Sequence, residues 1–171
     1  MTTSPTARLA EARALAASNR LRLQDRRQRA ISYLRVSVTD RCNYRCRYCM
    51  PEDVAHSEPS DICSFEETAA LVACFVALGV SRLRLTGGEP TIRKDLPSLV
   101  AMLRALPGVD DIALSTNGHL LPSLAEPLRR AGIDRLNVSL DSLDPARFRR
   151  LTGRGDLASV LGGLETARSL G

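Results

Sequence analysis

Tryptophan is absent from this 171-residue chain, and three tyrosines and three phenylalanines are its only aromatic residues. So few rings do not make the stacking platforms that hold single-stranded nucleic acid, and no nucleic-acid partner is expected. Lysine is nearly missing too: Lys94 is the only basic residue of the 24 that is not arginine. There are two histidines, His56 and His119, and neither has a motif partner that would raise it above a surface or structural residue. No apolar run approaches the roughly 20 residues of a membrane-spanning helix, and the N-terminus lacks the apolar stretch of an export signal. The expected setting is cytoplasmic, with no membrane partner and with thiols kept reduced.

A chain of this length fits one domain and can bury a real core. Its net charge is +5, and much of the basic excess lies in Arg20, Arg22, Arg26, Arg27 and Arg29. Residues 1–30 read as a polar Ala- and Arg-rich arm ahead of a folded unit over residues 31–171. A solvated tail is the plain reading of that arm; a contact with nucleic acid or a phosphorylated substrate is the sharper one.

From residue 31 onward strand and helix patterns alternate. Tyr33 to Val38 is a short β-branched strand, and residues 50–63 read as loop. Ser64 and Glu67 make a capping box for a helix through Leu78 that ends at Gly79. Strands are expected over Val80–Leu85, Asp111–Leu114 and Ile133–Val138, and a helix over Asp95–Leu106. The next helix breaks or restarts at Pro127 and stops at Gly132, and a last helical stretch runs from Asp144 to Leu170. Such alternation means βα units and a parallel sheet, an α/β fold of partial TIM-barrel type with about four units. Each polar motif follows a strand: the cysteine loop, Thr86-Gly-Gly-Glu-Pro90, Ser115-Thr-Asn-Gly118 and Ser139-Leu-Asp-Ser142. All four therefore fall on the C-terminal edge of the sheet, where α/β folds gather ligands.

Cys42, Cys46 and Cys49 share one short loop with C-x₃-C-x₂-C spacing. Three thiolates can hold a four-iron cubane while leaving one iron open to a ligand. The spacing alone also admits a zinc site completed by His56, or a disulfide with a spare thiol. Cys74 reads as a small buried residue of its helix, and Cys63 carries no assigned role. Gly87-Gly88 lets backbone approach a ligand, and Glu89 adds a carboxylate beside it; a plain βα turn is the bland alternative. With an iron–sulfur loop nearby, such a turn suits the amine and carboxylate of S-adenosylmethionine. Arg35 and Arg84 sit within otherwise apolar strands, so their guanidinium groups are expected to face the barrel interior, where a pair of them suits phosphate. Internal ion pairing with Glu89 or Asp141 is the alternative. Ser115, Thr116, Asn117, Ser139 and Asp141 serve equally well as turn and capping residues.

Residues 34–51, Leu-Arg-Val-Ser-Val-Thr-Asp-Arg-Cys-Asn-Tyr-Arg-Cys-Arg-Tyr-Cys-Met-Pro, resemble the GTP 3′,8-cyclase family of radical S-adenosylmethionine enzymes. Arg82 to Pro90, Leu114 to Gly118 and Arg135 to Asp141 continue the resemblance in order, over about residues 31–171. The resemblance implies that Cys42, Cys46 and Cys49 bind a [4Fe–4S] cluster. It implies S-adenosylmethionine contacts at Tyr48, Gly88 and Ser139, and GTP contacts at Arg35, Arg84 and Ser115, where the family commonly has threonine. The implied reaction is reductive cleavage of S-adenosylmethionine, hydrogen abstraction from the GTP ribose and closure onto guanine C8, a step of molybdenum-cofactor biosynthesis. Family partners would be a reductant such as flavodoxin and a second copy of the chain in a homodimer. Family members are about twice as long and carry a C-terminal cysteine trio for a second cluster, so this chain reads as incomplete. A radical enzyme acting on a peptide or deazapurine precursor, or a non-catalytic half-barrel holding cluster or zinc, are the other readings.

Overall fold

The computed structural model describes residues 22–49 and 54–171. Strands β1 (Tyr33–Ser37), β2 (Arg82–Thr86), β3 (Asp111–Thr116) and β4 (Arg135–Val138) form one parallel sheet in that spatial order. Helices α1 (Phe65–Ala77), α2 (Leu96–Arg104) and α3 (Leu121–Ala131) join successive strands, and α4 (Pro145–Thr152) and α5 (Leu157–Ser169) follow β4. Spatial order that follows chain order is the winding of an α/β barrel; a doubly wound sheet reverses direction partway. The expected fold class is met, with four βα units making part of a barrel.

Local chemistry sets the element ends. Ser64 accepts from the Glu67 amide while Glu67 returns a bond to the Ser64 amide, so the capping box that starts α1 is complete. Gly79 follows that helix at φ +99°, a conformation that favours glycine. Two expectations differ from the structure. Helix α3 runs unbroken through Pro127, because Leu121, Ala125 and Leu128 bury one continuous face across the proline. The last helical stretch is two helices, with Asp144 capping α4 and Asp156 capping α5 across a turn that contains Gly153 and Gly155.

Burial separates the two sheet faces. Leu83, Leu85, Ile112 and Leu114 are fully buried and pack with Val72, Val76, Leu99, Leu103 and Leu128 of the helices. The opposite face carries Arg35, Ser37, Arg84, Ser115 and Asn137, all at least partly exposed. In a closed barrel that face points inward. The Leu23 amide bonds to Leu78 O and the Ile31 amide to Leu23 O, so residues 22–31 form a turn docked on the end of α1. The packed fold thus takes in residues that the sequence pattern assigns to the arm; the arm's first 21 residues lie outside those described. No helix among the described residues is long and apolar enough to cross a membrane.

Candidate functional site

The segment after β1 is drawn down onto the end of β2. The Gly88 amide donates to Thr39 O at 2.7 Å and the Glu89 amide to Arg41 O at 2.8 Å. A Cβ on Gly87 would run into Thr39 O, and one on Gly88 into Arg41 O. The two glycines therefore serve backbone packing first. Their neighbourhood is not a row of free amides awaiting a ligand, as the sequence suggests. What the close approach builds is a cavity lined by Cys42, Cys46 and Cys49 together with Ser37, Gly87 and Gly88.

Burial raises the pKa of the Cys42 thiol, with the nearby Glu89 charge adding to it, and burial likewise raises that of Cys46. Cys49 is exposed. His56, the histidine closest in sequence, lies 3.9 Å from Asp40 through Nδ1 and is not among the residues that line the cavity. Among the described residues no three His, Cys, Asp or Glu side chains converge as a single metal ion would require. Thiolates around one zinc sit roughly 3.8 Å apart, given Zn–S bonds of about 2.3 Å in a tetrahedron, whereas the corners of a cubane lie farther from one another. Three thiols lining one cavity are a donor set that fits a cluster.

Glu89 is the buried centre of the sheet edge, 1% exposed. Its carboxylate accepts from Thr91 N (3.0 Å), Thr91 Oγ1 (2.5 Å), Thr116 Oγ1 (2.7 Å) and Asn117 N (2.6 Å). It joins the ends of β2 and β3 through these four bonds, and none of them is with Arg84. Asn117 in turn donates from Nδ2 to Asn43 Oδ1 at 2.8 Å, which ties β3 to the cysteine loop. For Thr116 and Asn117 the structural reading wins. Sequence order hides the bonds from Thr116 and Asn117, since Glu89 and Asn117 are 28 residues apart.

Arg35 and Arg84 are in-register partners on β1 and β2. Like charges directly opposite each other, about 5 Å apart across strands, destabilise a sheet unless an anion joins them. Arg135 stands in the same row beyond Ala113, but Asp111 neutralises it at 2.5 Å. No carboxylate among the described residues does this for Arg35 or Arg84; Asp141 instead accepts from Tyr48 Oη at 2.6 Å. The Arg84 guanidinium lies 5.8 Å from the Tyr33 ring centroid, and its Nε is buried with no hydrogen-bond partner. Ser37, two residues beyond Arg35 on the same face, lines the cysteine cavity, which puts the arginine row roughly 7 Å below it.

The remaining candidates divide. Gly88 lines the cavity itself. Tyr48 is 64% exposed, and the bond to Asp141 raises its hydroxyl pKa well above the ordinary value. Ser115 shares the open face with the arginines, paired with Asn137 across to β4. Ser139 follows β4 and spends its amide on Thr116 O. Neither Ser139 nor Asp141 caps α4, a role taken by Asp144. Cys74 is exposed, contrary to expectation, because the buried face of α1 runs through Ala69, Val72, Ala73 and Val76. Sequence reading passed over Tyr44, which is 2% exposed between two of the cysteines and has its hydroxyl pKa pushed up to about 12 by burial. An aromatic residue within a polar loop was the available signal.

The family model described as Radical SAM superfamily matches residues 36–171. This chain belongs to the radical SAM superfamily. Members of the superfamily use a [4Fe–4S] cluster and S-adenosylmethionine. The chain is 49% identical over 150 residues to a GTP 3′,8-cyclase of Marinobacter nauticus, covering 88% of this chain and 45% of that protein. It is 50% identical over 150 residues to a GTP 3′,8-cyclase of Pelotomaculum thermopropionicum, covering 87% and 46%. The chain thus spans less than half the length of the curated relatives it matches. Among solved structures it superposes on the FeFe-hydrogenase maturase HydG of Carboxydothermus hydrogenoformans with a TM-score of 0.65 at 18% identity, covering all of this chain and 40% of that one. A crystal structure of methylornithine synthase gives 0.62 at 17% identity, covering all of this chain and 50% of that one. Those two likenesses bear on the fold alone.

Proposed function

We propose that the chain carries the radical-generating part of a GTP 3′,8-cyclase, acting in molybdenum-cofactor biosynthesis. In this reading Cys42, Cys46 and Cys49 hold a [4Fe–4S] cluster, Tyr48, Gly88 and Ser139 contact S-adenosylmethionine, and Arg35, Arg84 and Ser115 contact GTP. The observation that carries it is one juxtaposition: three thiols around a single cavity, with an uncompensated arginine pair on the sheet face beneath. When bound, a reduced cluster supplies the electron that cleaves S-adenosylmethionine to methionine and a 5′-deoxyadenosyl radical.

The chain's own residues place the reactants. Arg35 and Arg84 stand side by side in the strand register, and the unpartnered Nε of Arg84 is a donor that a phosphate oxygen would satisfy. The cavity opens above that row, so a nucleotide anchored by its phosphates reaches upward toward the cysteines. Gly87 and Gly88 keep the cavity wall free of side chains. The electron donor in this reading is a small one-electron carrier such as flavodoxin, the protein acts in the cytoplasm, and a homodimer is the assembly.

The test is 5′-deoxyadenosine formation by the anaerobically reconstituted, dithionite-reduced chain. GTP should stimulate it above the substrate-free rate, and Arg84→Ala should raise the GTP concentration needed by about tenfold to a hundredfold, the worth of one charged fork. Arg84→Lys should recover only part of that, since an ammonium cannot bind phosphate in the same two-pronged way. Stimulation by a peptide or deazapurine instead of GTP, untouched by Arg84→Ala, would assign the site to another substrate.

A further inference from the structure

The cysteine loop is fastened by groups outside the cysteine motif. The amides of Arg45 and Arg47 donate to the carbonyls of Thr152 and Leu151, both at 3.0 Å. Those carbonyls end α4, where last-turn acceptors have no partner within the helix. Between the cysteines, Tyr44 lodges in an apolar cluster with Phe148, Leu157 and Val160 of α4 and α5, and Cys42 and Cys46 pack against that cluster. Its ring meets Phe148 edge-on at 6.2 Å, and its hydroxyl lies 3.3 Å from His119 Nδ1. Gly153, next after Thr152, has φ +71°, and a Cβ there would sit 2.8 Å from Arg45 O, a backbone atom with little room to move.

We propose that the α4–α5 unit is a positioning element for the cysteine loop: it fixes the spacing of the three thiols before a cluster arrives, and Gly153 is the residue that permits the contact. The proposal rests on the reading of Cys42, Cys46 and Cys49 as cluster ligands. Its physical basis is preorganisation, since a loop already held in its binding form loses less entropy when it takes up its ligand. The strand pattern and the cysteine spacing carry no sign of it. The device lies about 100 residues downstream of the loop it shapes.

Residue-resolved hydrogen exchange on the cluster-free full chain tests the contact, and iron retention under a chelator tests its purpose. In the native sequence the Arg45 and Arg47 amides should exchange at least about tenfold more slowly than unbonded amides, as hydrogen-bonded groups that open only by local unfolding. Gly153→Val should remove that protection and speed iron loss from the reconstituted protein by about tenfold. Gly132→Ala, which strains the end of α3 at φ +105° far from the loop, should change neither beyond its effect on overall stability. Tyr44→Ala leaves the end of α4 intact and should reproduce both losses, so a misfolded Gly153 variant would not decide the matter. Unprotected amides in the native apo chain, or a Gly153→Val chain that holds iron as firmly as the native one, would overturn the proposal. A loop protected as expected in a chain that takes up no iron would overturn the cluster reading and the positioning role together, leaving the contact as plain packing.

Discussion

Replacing any one of Cys42, Cys46 or Cys49 by serine is expected to drop the iron held after anaerobic reconstitution from about four per chain to below about one, while the fold survives. In the proposed reading each thiolate would hold one iron of the cubane. A serine hydroxyl stays protonated at neutral pH and is a poor partner for iron, so two remaining thiolates cannot retain the cluster. The fold survives because Cys49 is exposed and Cys42 and Cys46 are only partly buried, off the main core of Leu83, Leu85, Ile112 and Leu114. Cys63→Ser and Cys74→Ser change exposed thiols that lie outside the loop, and should leave iron content unchanged. Iron and sulfide assays with circular dichroism on all five variants check this. Equal iron in the Cys49→Ser and native chains would show that the three thiols do not act together.

Glu89→Ala should be the most destabilising single change near the site, costing about 4 kcal/mol or more by urea unfolding. The estimate follows from four donors left facing a buried void at about 1–3 kcal/mol for each that finds no new partner, partly offset as the pocket relaxes. Glu89→Gln separates charge from shape. Its carbonyl can keep the three bonds now made by Oε1, but its NH₂ then faces the Asn117 amide, so about 2 kcal/mol is expected. Because Asn117 also holds Asn43, both variants should loosen the cysteine loop, visible as faster iron loss at temperatures where the sheet is still folded. A Glu89→Ala chain as stable as the native one would mean that the donors find other partners and that this carboxylate does not join β2 to β3.

The strand–helix alternation was legible because each local signal stood alone: the Ser64–Glu67 box, the Gly79 end, the apolar strand runs. The C-terminal-edge placement of the polar motifs followed from topology without any coordinates. Arg35 and Arg84 were legible as misfits in apolar strands, and register then made them neighbours. What stayed hidden depends on distant partners. Glu89 looked like a ligand group because two of its four donors, Thr116 Oγ1 and the Asn117 amide, come from a segment that only strand pairing brings to it. The break between α4 and α5 was written in Gly153, Gly155 and the Asp156 cap, but the apolar spacing on either side masked it. Tyr44 carries no local sign of the helices that bury it, since Phe148 and Val160 lie more than a hundred residues on.

The most direct measurement is the electron paramagnetic resonance spectrum of the reconstituted, dithionite-reduced chain, recorded without and with S-adenosylmethionine. The account predicts the signal of a reduced [4Fe–4S] cluster whose g-values shift when S-adenosylmethionine is added, because three cysteines leave one iron open to it. A chain that binds zinc without iron, or a cluster signal indifferent to S-adenosylmethionine, would contradict it.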